Sequence, residues 1–364
     1  MTTTAAGPGT SGKAGDPDGS GPPAREASAS APGMSTGPHR RRAGRSRAGV
    51  RMVPSEVRVG ARHLYYAVSD NEDARAPDGT GRAPVWAVNV HGYFAGGRTY
   101  WRESVHLAEQ LGWRVVNPCL PGFGGSDPLG WHEVSIGALA EQIAYVVDHL
   151  DTGPVVLLGH SMGGAVAVQY AHDRPDETLG IVYRDGVATP AWRDRNGPVQ
   201  TVMGVISPNM APFVDLFASF VADVPDLLVG AVGANLRDVL PDVRRNVRTM
   251  GLTLPVGAML MTVDLRDQVR ALADAGLPML AEWGSFDRVV GAATADEFAR
   301  CARTTVQWVP GGHSWMLARP RGQADVLTRL DSGRAFMDRV GARRRGLSGT
   351  PARTTRLRPL RSFR

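Results

Sequence analysis

Val155-Val156-Leu157-Leu158-Gly159-His160-Ser161-Met162-Gly163-Gly164 sets an apolar run, a serine bracketed by glycines and the start of a helix-like stretch in direct succession. The β-branched run reads as a buried strand, and Ala165-Val166-Ala167-Val168-Gln169-Tyr170 continues as a helix. Between a strand and a helix, Gly-x-Ser-x-Gly has a physical meaning. The turn holds its serine in a strained geometry that lifts the hydroxyl clear of the sheet, so small residues must stand two positions to either side. Gly159 and Gly163 are those residues. The helix that follows starts with unpaired N–H groups beside the serine.

Working outward, short apolar runs alternate with helical spacing. Residues 57–68 read as one or two strands with a turn near Gly60, and 85–90 as a buried strand ending at His91-Gly92. Residues 99–111 read as a helix, 113–116 as a strand and 135–150 as an amphipathic helix. After the serine come strands at 179–184, 278–283 and 305–309, a helix at 294–303 and one final helix at about 323–340. Such alternation predicts an α/β fold with a mostly parallel sheet covered on both faces. Residues 187–260 break the pattern. They read as a helical insertion over the strand ends, with helices near 213–222 and 234–250 and an apolar series that includes Met203, Ile206, Phe213 and Phe217.

Composition is that of a globular protein, 43% hydrophobic and 21% charged. The net charge of +6 is unevenly spread. Residues 1–51 carry eight Lys/Arg against three Asp/Glu, and 340–364 carry eight arginines and no acid, which leaves the middle at −7. Five segments follow: a basic leader (1–51) and a basic tail (342–364) that both read as disordered, core halves at 52–186 and 261–341, and the insertion at 187–260. The tails read as solvated, with contact to nucleic acid or an acidic membrane surface as the alternative. The chain has no apolar stretch of transmembrane length and no secretory core at its start, so a cytoplasmic location is the expectation. The two cysteines, Cys119 and Cys301, give neither a disulfide framework nor a zinc spacing.

A nucleophilic serine needs a base, and the base needs an acid to orient it. Only two of the nine histidines follow Ser161. His172 lies eleven residues on in the same helix, which carries it away from the turn. His313, in Pro310-Gly311-Gly312-His313-Ser314-Trp315, sits in a glycine-rich loop leaving the last strand. The acid is read as Asp287, in the loop after strand 278–283. Asp185, at the preceding strand end, is its rival. Met162 offers one oxyanion N–H. The second is assigned to Tyr93, with Phe94 as the alternative, in the loop His91-Gly92-Tyr93-Phe94-Ala95-Gly96-Gly97. His91 reads as a structural residue that hydrogen-bonds this loop.

His91-Gly92, Leu120-Pro121-Gly122-Phe123-Gly124-Gly125-Ser126-Asp127, the turn at Ser161, Asp287 and Gly311-Gly312-His313 resemble, in order, the motifs of the α/β-hydrolase fold family over about residues 55–340. The resemblance implies a sheet of about eight mostly parallel strands with a helical cap at 187–260. It also implies Ser161 as nucleophile, His313 as base and Asp287 as its partner. A serine at the turn argues against the family's aspartate-nucleophile branches, the epoxide hydrolases and haloalkane dehalogenases. Cys119 departs from the pattern, since relatives carry an aspartate there, and nothing beside it lowers its pKa toward a nucleophilic thiolate.

The expected activity is hydrolysis of a carboxylic, lipid or lactone ester through an acyl-enzyme on Ser161. The expected substrate is a small apolar molecule, and neither a cofactor nor a metal is required. A carbon–carbon bond hydrolase or a cofactor-free haloperoxidase with the same triad is the alternative. A non-catalytic binding protein on this fold is a third reading. The substrate and the oligomeric state are not legible in the chain.

Overall fold

The computed structural model describes residues 49–71, 83–194 and 236–347. Eight strands form one sheet in the order β1-β2-β4-β3-β5-β6-β7-β8. They are β1 (Met52–Val59), β2 (Arg62–Ser69), β3 (Trp86–Val90), β4 (Arg114–Pro118), β5 (Val155–His160), β6 (Thr178–Arg184), β7 (Met279–Gly284) and β8 (Val306–Val309). β1 and β2 form an antiparallel hairpin through Gly60, which supplies the left-handed φ of 62° that the turn needs. β2 is antiparallel to β4, and β4, β3, β5, β6, β7 and β8 run parallel. The expectation of an α/β fold with a mostly parallel sheet is therefore met.

Every residue of β5, β6 and β7 is buried. Strands covered on both faces read as continuous apolar runs, as Val155–Leu158 did. In β5 the side chains divide by parity. Val155 and Leu157 pack with α2 (Ile136–His149) and α3 (Met162–Asp173), whereas Val156 and Leu158 pack with α1 (Trp101–Leu111) and the C-terminal helices. Ser135 caps α2, its Oγ accepting the Ala138 N–H at 3.1 Å.

Beyond β6 come α4 (Ala191–Asp194), α5 (Leu236–Arg248), α6 (Met250–Leu260), α7 (Arg266–Asp274), α8 (Ala292–Ala302), α9 (Trp315–Ala318), α10 (Gly322–Arg329) and α11 (Asp331–Leu347). The helix expected at 234–250 is α5. The one expected at 213–222, and the apolar series around it, lie outside the described residues. α5 and α6 sit on the loops after β3 and β4. Asp242 accepts the backbone N–H and the hydroxyl of Thr99, both at 2.9 Å, and Asn246 accepts the Gly124 N–H at 3.1 Å.

The single final helix expected at 323–340 is instead two, broken at Leu330, whose ψ of 147° is extended. A straight helix could not fold back here. Gly333 lets α11 cross α10 closely, because a Cβ on it would lie 2.0 Å from the Val326 carbonyl oxygen. α11 also runs past the expected tail boundary at 342 to Leu347. Arg343 holds it there by donating to the Thr178 carbonyl at 2.8 Å. Among the described residues, no helix is long and apolar enough to cross a membrane.

Candidate active site

Ser161 stands between β5 and α3 at φ 53°, ψ −117°, a strained backbone for a residue with a side chain. Such strain costs on the order of 1–3 kcal/mol and persists only where the surroundings enforce it. The enforcement is visible. A Cβ on Gly159 would lie 2.5 Å from the Gly163 carbonyl oxygen, and one on Gly163 would lie 2.1 Å from that of Val90. The Ser161 N–H donates to the Arg184 carbonyl at 3.0 Å, and its own carbonyl accepts from Gly164 and Val187. α3 begins at Met162, so that N–H lies in the first turn and has no intrahelical acceptor.

His313 and Asp287 meet from separate loops. Nδ1 of His313 lies 2.9 Å from Asp287 Oδ2, with the two side chains 8% and 1% exposed. A carboxylate accepts, so Nδ1 carries the proton and Nε2 is left as the acceptor. The other oxygen of Asp287 accepts the N–H groups of Val289 and Val290, both at 2.8 Å. The two loops touch because β7 ends on a glycine: a Cβ on Gly284 would lie 2.3 Å from the Gly312 carbonyl oxygen.

Asp185 is also drawn to this point. It is wholly buried, has a carboxyl oxygen within 4.8 Å of one of Asp287, and accepts the Gly284 N–H at 2.7 Å and the Trp315 indole N–H at 2.8 Å. Burial first, and then the Asp287 charge, push its carboxyl well above the usual carboxylate range. The histidine's hydrogen bond nevertheless goes to Asp287. Ligand atoms of Asp185, Asp287 and His313 all fall within 4.8 Å of one another, the spacing of a metal site. Both Asp185 oxygens and His313 Nδ1 are already committed to hydrogen bonds, so this donor set does not suit a cation.

The loop after β3 passes against the serine, since a Cβ on Gly92 would lie 3.2 Å from that of Ser161. The loop turns through Phe94 at φ 61° and is closed by the Ala95 N–H on the Gly92 carbonyl. Tyr93 fastens it to α6, its hydroxyl donating to the Thr253 carbonyl at 2.8 Å, and burial pushes that phenol up to about 12. His91 plays the structural part read for it. Its Nδ1 lies 2.7 Å from the Gly92 carbonyl, its Nε2 accepts the Leu120 N–H at 2.9 Å, and burial pushes it down to about 4. His172 lies on the surface beside Asp173. Cys119 is buried, its thiol pushed up to about 12 by burial, and its sulfur accepts the Gly97 N–H at 3.3 Å.

Two residues here were not anticipated. His160, beside Ser161, accepts the Tyr100 hydroxyl at 2.6 Å through Nδ1 and donates from Nε2 to the His313 carbonyl at 2.9 Å. Tyr100 in turn accepts the Gly92 N–H at 3.2 Å. This chain couples the loop after β3 to the histidine loop. Its one trace in the sequence is a polar residue at the end of an apolar strand.

Ser161 and His313 line one cavity of about 80 Å³, together with Tyr93, Phe94 and the apolar side chains of Val239, Val243, Val289 and Leu317. A larger groove of about 810 Å³ lies elsewhere, between α1, α10 and Trp308, and contains neither residue. Capacity alone does not mark the chemistry.

Behind the sheet lies a second polar cluster, sealed under α1 and α10. Arg184 is fully buried and donates to Glu103, to Asn89 at 2.7 Å and to the Leu158 carbonyl at 3.2 Å. Asn89 donates to the other Glu103 oxygen at 2.8 Å. Glu282 accepts from Gln323 at 2.9 Å, and burial pushes its carboxyl up to about 8.

A mostly parallel sheet with a strained serine between strand and helix, and a His–Asp pair on the loops after its last two strands, defines a class of enzyme. A family description of the alpha/beta hydrolase fold matches residues 88–320, and the chain belongs to that family of hydrolases. It is 36% identical over 103 residues to lipase LipV of Mycobacterium tuberculosis, a match covering 28% of this chain and 37% of the lipase. The chain thus spans little more than a third of that relative. It is 27% identical over 235 residues to the magnesium-chelatase 30 kDa subunit of Rhodobacter capsulatus, covering 62% of this chain and 78% of the subunit. Among solved structures, a thermophilic esterase from Thermogutta terrifontis superposes with a TM-score of 0.54 at 19% identity, over 79% of this chain and 98% of the esterase.

Proposed function

We propose that the protein hydrolyses a carboxylic ester of an apolar acid or alcohol through an acyl-enzyme on Ser161. The observation that carries this reading is that His313, paired through Nδ1 with Asp287, lines the same cavity as the strained serine. In the first half-reaction His313 Nε2 takes the Ser161 proton as Oγ attacks the ester carbonyl. The oxyanion receives the N–H groups of Met162 and Tyr93. The imidazolium, held by Asp287, returns the proton to the departing alcohol and leaves Ser161 acylated. Water then enters, gives a proton to His313 and attacks the acyl carbon, and the carboxylic acid leaves as the serine is reprotonated.

An apolar substrate is supported by the Val239, Val243, Val289 and Leu317 walls, with residues 187–260 acting as the cap that sets the choice. The likeness to a lipase agrees with this reading. The test is a fluorophosphonate probe combined with a panel of short-chain, long-chain and aryl esters and a lactone. Labelling confined to Ser161 and turnover abolished in Ser161→Ala are expected. An unlabelled serine and no turnover on the panel would overturn the proposal.

A further inference from the structure

No step of the chemistry above uses Asp185, yet its position in the site is tightly constrained. It is a non-glycine residue at φ 47°, immediately after β6, with a wholly buried side chain. Its two oxygens hold two different elements: Gly284, from whose strand the Asp287 loop leaves, and Trp315, two residues past His313. One carboxyl thus ties together the ends of β6 and β7 and the histidine loop. Its other neighbour is Asp287, with carboxyl oxygens of the two within 4.8 Å of each other.

Two buried carboxyls this close cannot both be ionised, so one proton is shared between them. The partners decide where it sits. Asp287 receives three N–H groups, from His313, Val289 and Val290, and faces the imidazole whose charge it must balance. Asp185 receives two, both from neutral groups, and has no cation in contact. Asp287 is therefore the anion, and Asp185 keeps the proton.

We propose that Asp185 is a positioning residue of the Ser161 site, a neutral carboxylic acid whose O–H donates to Asp287 and holds that carboxylate on His313. The kinetic consequence rests on the hydrolase reading. The protonation does not.

The test compares Asp185→Ala, Asp185→Asn and Asp287→Asn by the rate of fluorophosphonate labelling of Ser161, by kcat and KM, and by infrared spectra of protein labelled at the aspartate carboxyl carbons. With Asp287 left free to move, Asp185→Ala is expected to lower the labelling rate and kcat about 100-fold with little change in KM. Asp185→Asn, whose amide can donate in place of the O–H, recovers about tenfold of that loss. At neutral pH the spectrum shows a protonated aspartate carboxyl that persists in Ser161→Ala and vanishes in Asp185→Asn.

Three results would overturn the proposal: no protonated aspartate band, an Asp185→Asn variant as impaired as Asp287→Asn, or an Asp185→Ala variant that loses stability while its folded fraction is labelled at the native rate. Should the native serine take no label at all, the hydrolase reading falls, and the infrared band still decides the protonation of Asp185.

Discussion

Two buried polar clusters meet the same strand ends from opposite faces of the sheet. In front, Ser161 and His313 border a cavity, with Asp287 and Asp185 buried behind the histidine; on the other face Arg184, Glu103, Asn89 and Glu282 are sealed under helices. Both contain carboxyls raised well above their usual range, Asp185 in one and Glu282 in the other. Only the front cluster combines them with a strained serine and a histidine that line a cavity. Perturbed acidity marks a site only together with access and a reacting atom. The rear cluster instead joins β3, β5, β6 and β7 through one guanidinium and its partners, an architectural task.

Substitutions can break or sharpen this contrast. The largest effect falls on Ser161→Ala, expected to cost about 10⁴–10⁶-fold in kcat and all fluorophosphonate labelling, with thermal stability unchanged. Next is Asp287→Asn, expected to lower kcat about 10³–10⁴-fold because the imidazole loses the partner that fixes its tautomer. Burst kinetics on an aryl ester would measure it.

For the rear cluster the signs reverse. Glu103→Leu leaves the Arg184 charge without its counter-ion and is expected to cost about 3–5 kcal/mol in urea unfolding. Turnover per folded molecule should stay within a few-fold. Loss of turnover without loss of stability would dissolve the distinction between the two regions.

The smallest effect is a pH slope. Glu282, held near 8 when folded and near 4.5 when unfolded, keeps its proton better in the folded state. Its stabilising contribution is complete below about 4.5 and declines as pH rises toward about 8. Glu282→Gln is expected to match the native protein at pH 5 and to exceed it in stability at pH 8, as read by chemical denaturation at the two values.

The elements that carry the front cluster were legible because each has a local signature. Gly159 and Gly163 bracket a serine at a strand end, and Gly311-Gly312 precede a histidine in a loop. Asp287 and Asp185 could both be placed at strand ends. What the chain could not say is that the two meet, because their contact depends on β6 and β7 being neighbours and on Gly284 bringing two loops together. His160 and Tyr100 stayed hidden for the same reason, as their partners lie 153 and 60 positions away in the chain. The break at Leu330 was invisible because helical spacing continues across it while the direction changes. Arg184, read as the last residue of an apolar strand, gave no sign of a buried ion pair with a helix 81 residues earlier.

The anchoring of the loop after β3 limits how this enzyme can be rebuilt. Asn246 donates to the carbonyls of Phe94 and Ala95 at 2.8 and 2.9 Å, Asp242 grips Thr99, and Tyr93 is tied to Thr253. The backbone of this loop therefore takes its shape from α5 and α6, and α5 also supplies Val239 and Val243 to the cavity wall. α5 and α6 are not an exchangeable cassette. A transplant from a relative that altered the choice of substrate without supplying these partners would leave carbonyls and a threonine unsatisfied, and the catalytic rate would change together with the specificity.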